Sequence, residues 1–85
     1  MVRKKIKVTV PGGIHMAIAA ALCQIVCEGK EHVFVKAGRR MASIREPVKV
    51  LALGVRRLEW VEIIVDGEGE EESVLEQVEN ILCKE

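Results

Sequence analysis

The chain has 85 residues, 49% of them apolar, with 13 Lys and Arg balanced by 13 Asp and Glu. That length supports one small core and not two, so residues 1–85 are expected to form a single domain. Zero net charge argues against general polyanion binding, and no apolar run reaches membrane-spanning length, so no membrane insertion is expected.

Lys5-Ile6-Lys7-Val8-Thr9-Val10 alternates with period two, which predicts a half-buried strand with Ile6, Val8 and Val10 facing inward. Pro11-Gly12-Gly13 breaks it. Met16 to Cys27 then holds no breaker and is rich in Ala and Leu, predicting a first helix with His15 at or beside its N-cap and Gly29 near its end. His32 to Lys36 alternates again with Val33 and Val35 inward, Ala37-Gly38-Arg39 turns the chain, and Arg40 to Ile44 returns as a short strand. Glu46-Pro47 opens a short helix, Val48 to Leu53, that Gly54 stops. Glu59 to Val65 is a fourth strand with Val61, Ile63 and Val65 inward. Glu70 to Lys84 is a third helix, its first turn acidic and its stripe Val74, Val78, Ile81 and Leu82 apolar. The expected fold class is α+β, an open-faced sandwich of order βαββαβα, with a four-stranded antiparallel sheet and three helices on one face.

Charges are segregated along the chain. From Met1 to Arg57 only Glu28, Glu31 and Glu46 oppose Lys and Arg, whereas beyond Leu58 every charge is acidic except Lys84. Such asymmetry steers an acidic partner to one surface. The basic start leads into a strand pattern, not a signal-peptide apolar block, and three cysteines (Cys23, Cys27, Cys83) do not make a secreted disulfide framework. The chain therefore reads as cytoplasmic with reduced thiols. Cys23 and Cys27, one helical turn apart, with His32 lack an evident fourth ligand, so no metal is expected. Arg39-Arg40 and Arg56-Arg57 fall in turns without an aromatic platform on the same surface, and no nucleic acid is expected. Phe34, Trp60 and Ile64 have the opposite parity to the inward residues and should lie on the helix-free face. There they form either a satellite cluster covered by the stems of Lys5, Lys7, Lys36 and Glu62 or a homodimer contact.

The most specific feature is Gly12-Gly13-Ile14-His15, which places an imidazole where helix-start amides lack intrahelical partners and favour an anion. Histidine is itself a nucleophile near neutral pH. Lys7-Val8-Thr9-Val10-Pro11-Gly12-Gly13-Ile14-His15, Ala19-Ala20, Leu53-Gly54-Val55 and Ile63-Ile64-Val65-Asp66-Gly67-Glu68 together resemble the HPr family, the histidine phosphocarriers of the bacterial phosphoenolpyruvate-dependent sugar phosphotransferase system. The resemblance implies that His15 accepts a phosphoryl group on Nδ1 from enzyme I and passes it to a sugar-specific enzyme IIA. The Met16 and Ala17 amides would hold the phosphate, with no built-in cofactor. It also implies a docking surface on the first two helices, drawn here from Met16, Ala20, Gln24, Cys27, Pro47, Val48 and Leu51, with Lys49 and Arg45 as a basic rim.

Two positions depart from the family pattern. Arg and Pro usually follow the histidine at the second and third positions, where this chain has Ala17 and Ile18. The missing guanidinium would have to come from a partner or from elsewhere in the chain, such as Arg45. Glu46 stands where Gram-positive relatives carry a regulatory serine. It either imitates a permanently modified form that binds a transcriptional regulator or simply supports the second helix start. The alternative function is therefore an HPr-derived regulatory binding module with weak or no phosphotransfer.

Overall fold

The computed structural model describes residues 1–26 and 29–83. The elements run β1 Val2–Lys7, α1 Met16–Val26, β2 His32–Ala37, β3 Arg40–Ser43, α2 Pro47–Ala52, β4 Trp60–Asp66 and α3 Glu71–Leu82. The strands form one antiparallel sheet in the order β1-β4-β2-β3. The expected βαββαβα order and open sheet are therefore present, with the first strand paired to the last.

Alternation decides which face is covered. Val33 and Val35 of β2 and Val61, Ile63 and Val65 of β4 are buried, and they join Leu22, Val26, Val50, Val74, Val78 and Leu82 from all three helices in one cluster. No polar or charged residue among those described is buried, so this core is held by aliphatic packing alone. Replacing Ile63, which is fully buried on a central strand, with Ala should lower stability by about 2–5 kcal/mol, read from the denaturant midpoint.

β1 begins and ends earlier than its alternation suggests, at Val2–Lys7 instead of Lys5 to Val10. The cause is α3: Leu82 O accepts hydrogen bonds from the amides of Thr9 (2.9 Å) and Val10 (3.0 Å), so the helix end takes donors that a longer strand would offer to β4. Val8 and Val10 remain buried because the chain still runs over the core. The predicted third helix reached Lys84, which lies outside the described residues.

Near the start of α3 the Glu71 carboxyl is held below its ordinary value. Its own backbone amide and that of Gly69 (2.7 Å) donate to it, and the N-terminal ammonium lies 3.7 Å away. A carboxylate depressed on folding contributes stability above its unfolded pKa and loses it as the pH falls through the folded one. Glu71→Gln should therefore be less stable than wild type at neutral pH, and the gap in melting temperature should narrow as the pH falls below the ordinary value of 4.5.

Candidate functional site

Two glycines shape the approach to α1. Gly12 (φ +81°) and Gly13 (φ +68°) both take the left-handed conformation that a side chain disfavours. A β-carbon on Gly13 would fall 2.7 Å from Val55 O and 2.8 Å from the Cα and carbonyl carbon of Arg56. The loop thus lies backbone against backbone on 55–56, where the Ile14 amide donates to Val55 O at 3.1 Å and the Ile14 side chain enters the core. With Ile14 anchored inward, the next residue, His15, is exposed.

His15 is the N-cap of α1, because its carbonyl accepts the first helical bond from the Ala19 amide at 2.9 Å. The amides of Met16, Ala17 and Ile18 have no acceptor among the described residues, and the first turn of α1 carries no acidic side chain to occupy them. Three free donors and the positive end of the peptide dipoles thus sit beside the imidazole. The ring's position is also defined. Only Cδ2 (3.1 Å) and Nε2 (3.7 Å) come within 4 Å of the point where a Gly12 β-carbon would sit, so that edge leans over Gly12. Nδ1, across the ring from that edge, faces away from it.

The structure corrects the expectation for Arg45. Its Nη2 donates to Gly29 O (2.8 Å) and Glu31 O (3.1 Å), tying down the chain beyond the far end of α1. Eleven helical residues separate that end from His15, about 16 Å at 1.5 Å per residue, so Arg45 cannot serve the imidazole. Arg57 is also engaged, with Nε donating to Thr9 O at 3.2 Å. Arg56, which the sequence reading left as a turn charge, is the cation whose backbone packs on Gly13. Its amide donates to Glu59 Oε1 (2.6 Å), and its guanidinium has no partner among the described residues. The signal for it was indirect: the glycine pair had to lie against something, and only the fold shows what.

The helices α1 and α2 contact each other and expose much of the expected docking surface. Val48 is 71% and Met16 53% accessible; Ala17, Ala20, Gln24 and Lys49 are exposed, and Pro47 and Leu51 are half-buried. Cys27 lies outside the described residues. Glu46 occupies the N-cap position of α2, where its carbonyl accepts from the Lys49 and Val50 amides, but its side chain makes no cap bond. The carboxylate instead pairs with Lys49 Nζ at 2.8 Å and raises the lysine's pKa through that bond and the opposite charge.

On the opposite side of the sheet the covered-cluster expectation holds for only part of the set. Ile64 is buried and Phe34 half-buried, yet Trp60 is 63% exposed. It sits at the first position of β4, past the end of β2 pairing, with a strand partner only on the β1 side, Lys7.

The site is thus an exposed histidine capping the first helix of an open-faced antiparallel βαββαβα sandwich. The family model described as "PTS HPr component phosphorylation site" matches residues 2–83, and the chain belongs to that HPr family. No curated protein sequence matches it. Among solved structures, HPr-C-His from Thermoanaerobacter tengcongensis is similar at 19% identity and a TM-score of 0.85, covering 100% of this chain and 99% of that one. The phosphocarrier protein HPr of Bacillus anthracis gives 17% identity and 0.87, with 95% of each chain covered. The histidine-containing phosphocarrier protein of Mycoplasma gives 14% and 0.83, covering 94% of this chain and 90% of its own. At these identities the likeness is one of fold.

The close approach at Gly13 has a measurable consequence. Gly13→Ala should destabilise the protein by roughly 1–3 kcal/mol, through left-handed strain and contact with Val55 O and Arg56, read from the thermal midpoint. Gly38→Ala, with φ +64° but open space around it, should cost less.

Proposed function

We propose that this protein is a phosphoryl carrier: His15 Nδ1 accepts a phosphoryl group from an enzyme I type donor and passes it to an enzyme IIA type acceptor. The observation that carries this reading is the set of unpaired amides at Met16, Ala17 and Ile18 beside an exposed imidazole, with no carboxylate in that first turn. In the transfer, the Nδ1 lone pair attacks phosphorus as the bond from phosphorus to the donor's leaving atom breaks. The reverse sequence delivers the group to the acceptor. The amides bind the phosphoryl oxygens, and the exposed Met16, Ala20, Gln24, Val48 and Lys49, with Pro47 and Leu51 between the helices, dock donor and acceptor in turn.

Ala17 supplies no charge where the family usually has Arg. In this reading Arg56 partly compensates. Its Cα lies against Gly13, two residues before His15, and an arginine side chain extends about as far as two residues of backbone, roughly 7 Å. In this reading the guanidinium, unpartnered among the described residues, contacts the phosphoryl oxygens during transfer, while the amides bind from the helix side. The regulatory alternative draws on Glu46, but pairing with Lys49 at 2.8 Å neutralises much of the charge that would imitate a phosphorylated serine.

Incubation with phosphoenolpyruvate and enzyme I from the same organism should give an acid-labile, base-stable phosphate on the protein, lost in His15→Ala. Ala17→Arg should speed labelling by about ten- to a few hundred-fold, the worth of one charge-assisted bond made in the transition state. Arg56→Ala should slow it. Absence of label at saturating donor overturns the carrier reading and leaves the regulatory module.

A further inference from the structure

The sheet face that the helices leave open carries a second, chemically distinct surface. Ile6 points into the core, so alternation turns Arg3, Lys5 and Lys7 of β1 to the open face. The register then places Lys7 opposite Trp60, Lys5 opposite Glu62, and Glu62 opposite Lys36 on the next strand. Four cations therefore share this face with two carboxylates from its central strands, Glu62 among the lysines and Asp66 at the far end of β4, opposite His32. None of the four forms an ion pair among the described residues, whose pairs are Met1–Glu71, Lys4–Glu79 and Lys49–Glu46. The Glu-rich helix α3 lies in the opposite layer, so its carboxylates stand apart from the cations of this face.

Amid these cations stands an aromatic ring with nothing over it. Trp60 is 63% exposed, although Lys7 sits directly across from it. A groove of about 600 Å³, lined by Lys5, Lys36, Gly38, Trp60, Val61 and Glu62, runs beside the indole. Gly38 contributes no side chain, and the space above its Cα is open, which leaves room for a flat group against the ring.

The arginine pairs of the turns gave no nucleic-acid signal, but the sheet face joins an aromatic platform to a different set of cations, and we infer that it binds single-stranded nucleic acid, with Trp60 stacking on an unpaired base and Arg3, Lys5, Lys7 and Lys36 contacting phosphates. Spacing favours this occupant. Alternate residues of β1 repeat every ~6.8 Å, a distance that successive phosphates of a stretched single strand match. The pairing of a cationic track with an exposed aromatic platform is what sequence-tolerant single-strand binding uses. A duplex hides the base faces that the indole needs, and an acidic peptide has charge for the lysines but no planar group for the ring.

Trp60 is the one tryptophan and the chain has no tyrosine, so intrinsic fluorescence reports on this face alone. Titration of the full chain with an oligouridylate about twelve nucleotides long should quench that emission. With four phosphates contacted, affinity should fall roughly 50-fold between 50 and 200 mM salt. By anisotropy of the end-labelled oligonucleotide, Trp60→Ala should bind about tenfold more weakly or worse, and Lys5→Glu with Lys36→Glu should abolish binding. His15→Ala should bind as wild type does, which separates this face from the phosphoryl site. These substitutions are at exposed positions, and an unchanged thermal midpoint verifies folding. The inference is overturned by absence of quenching, by binding that Trp60→Ala leaves intact, by equal quenching with polyglutamate, or by a Trp60 signal that tracks protein concentration through self-association.

Discussion

The contact on which the functional end of this molecule depends is between two stretches of backbone. Gly13 lies so close to Val55 and Arg56 that no side chain fits between them, and the Ile14 amide is fixed on Val55 O. That contact holds Ile14 in the core and turns His15 out, so α1 starts at the surface with its first amides open. The supporting segment is itself held under constraint. Leu58 takes φ +74°, unfavourable for a side chain, while its amide donates to Val8 O at 2.6 Å and Glu59 binds the Arg56 amide. Strain in one turn is thereby tolerated where it supports a second turn that carries the histidine.

The sandwich divides two chemistries between its surfaces. On the helix side, an anion-favouring helix start is bordered by exposed apolar side chains, and the acidic residues gather on α3. On the sheet side, short period-two strands display Lys and Arg from β1 and β2 around Trp60. The zero net charge of the chain conceals this division between a mostly cationic sheet face and an acidic third helix. With no polar or charged residue buried among those described, the interior carries little electrostatic commitment, and the ionisable residues are left for the surfaces.

Element order and type were legible because local rules and tertiary packing agree. Period-two alternation gave β2 and β4, the Pro-Gly-Gly and Gly54 breaks bounded the helices, and the inward valines predicted are those in the core. The candidate site was legible to the same degree: a glycine pair before a histidine at a helix start is a local motif, and the amides it frees follow from helix geometry whatever the side chains. Resemblance added the chemistry, since composition alone does not say what an exposed imidazole does.

What sequence did not decide were interactions between residues far apart in the chain. The end of β1 moved because Leu82 O, more than seventy residues away, takes the Thr9 and Val10 amides. Arg45 went to Gly29 and Glu31, Glu46 to Lys49, and Arg56 to the neighbourhood of Gly13, choices made by where long side chains find acceptors once the layers are packed. Trp60 shows the same limit: parity assigned its face, but its exposure emerged only in the fold, where β2 pairing stops at Glu62 and the Lys7 strand opposite leaves the ring open. The sequence by itself determined the element order, most of the buried stripe (Leu75 replaces Ile81 inside α3) and the capping histidine, because each rests on spacing within a few residues. The tertiary structure alone decided the partners of the charges and the exposure of the tryptophan, because those depend on distances that only the folded layers set.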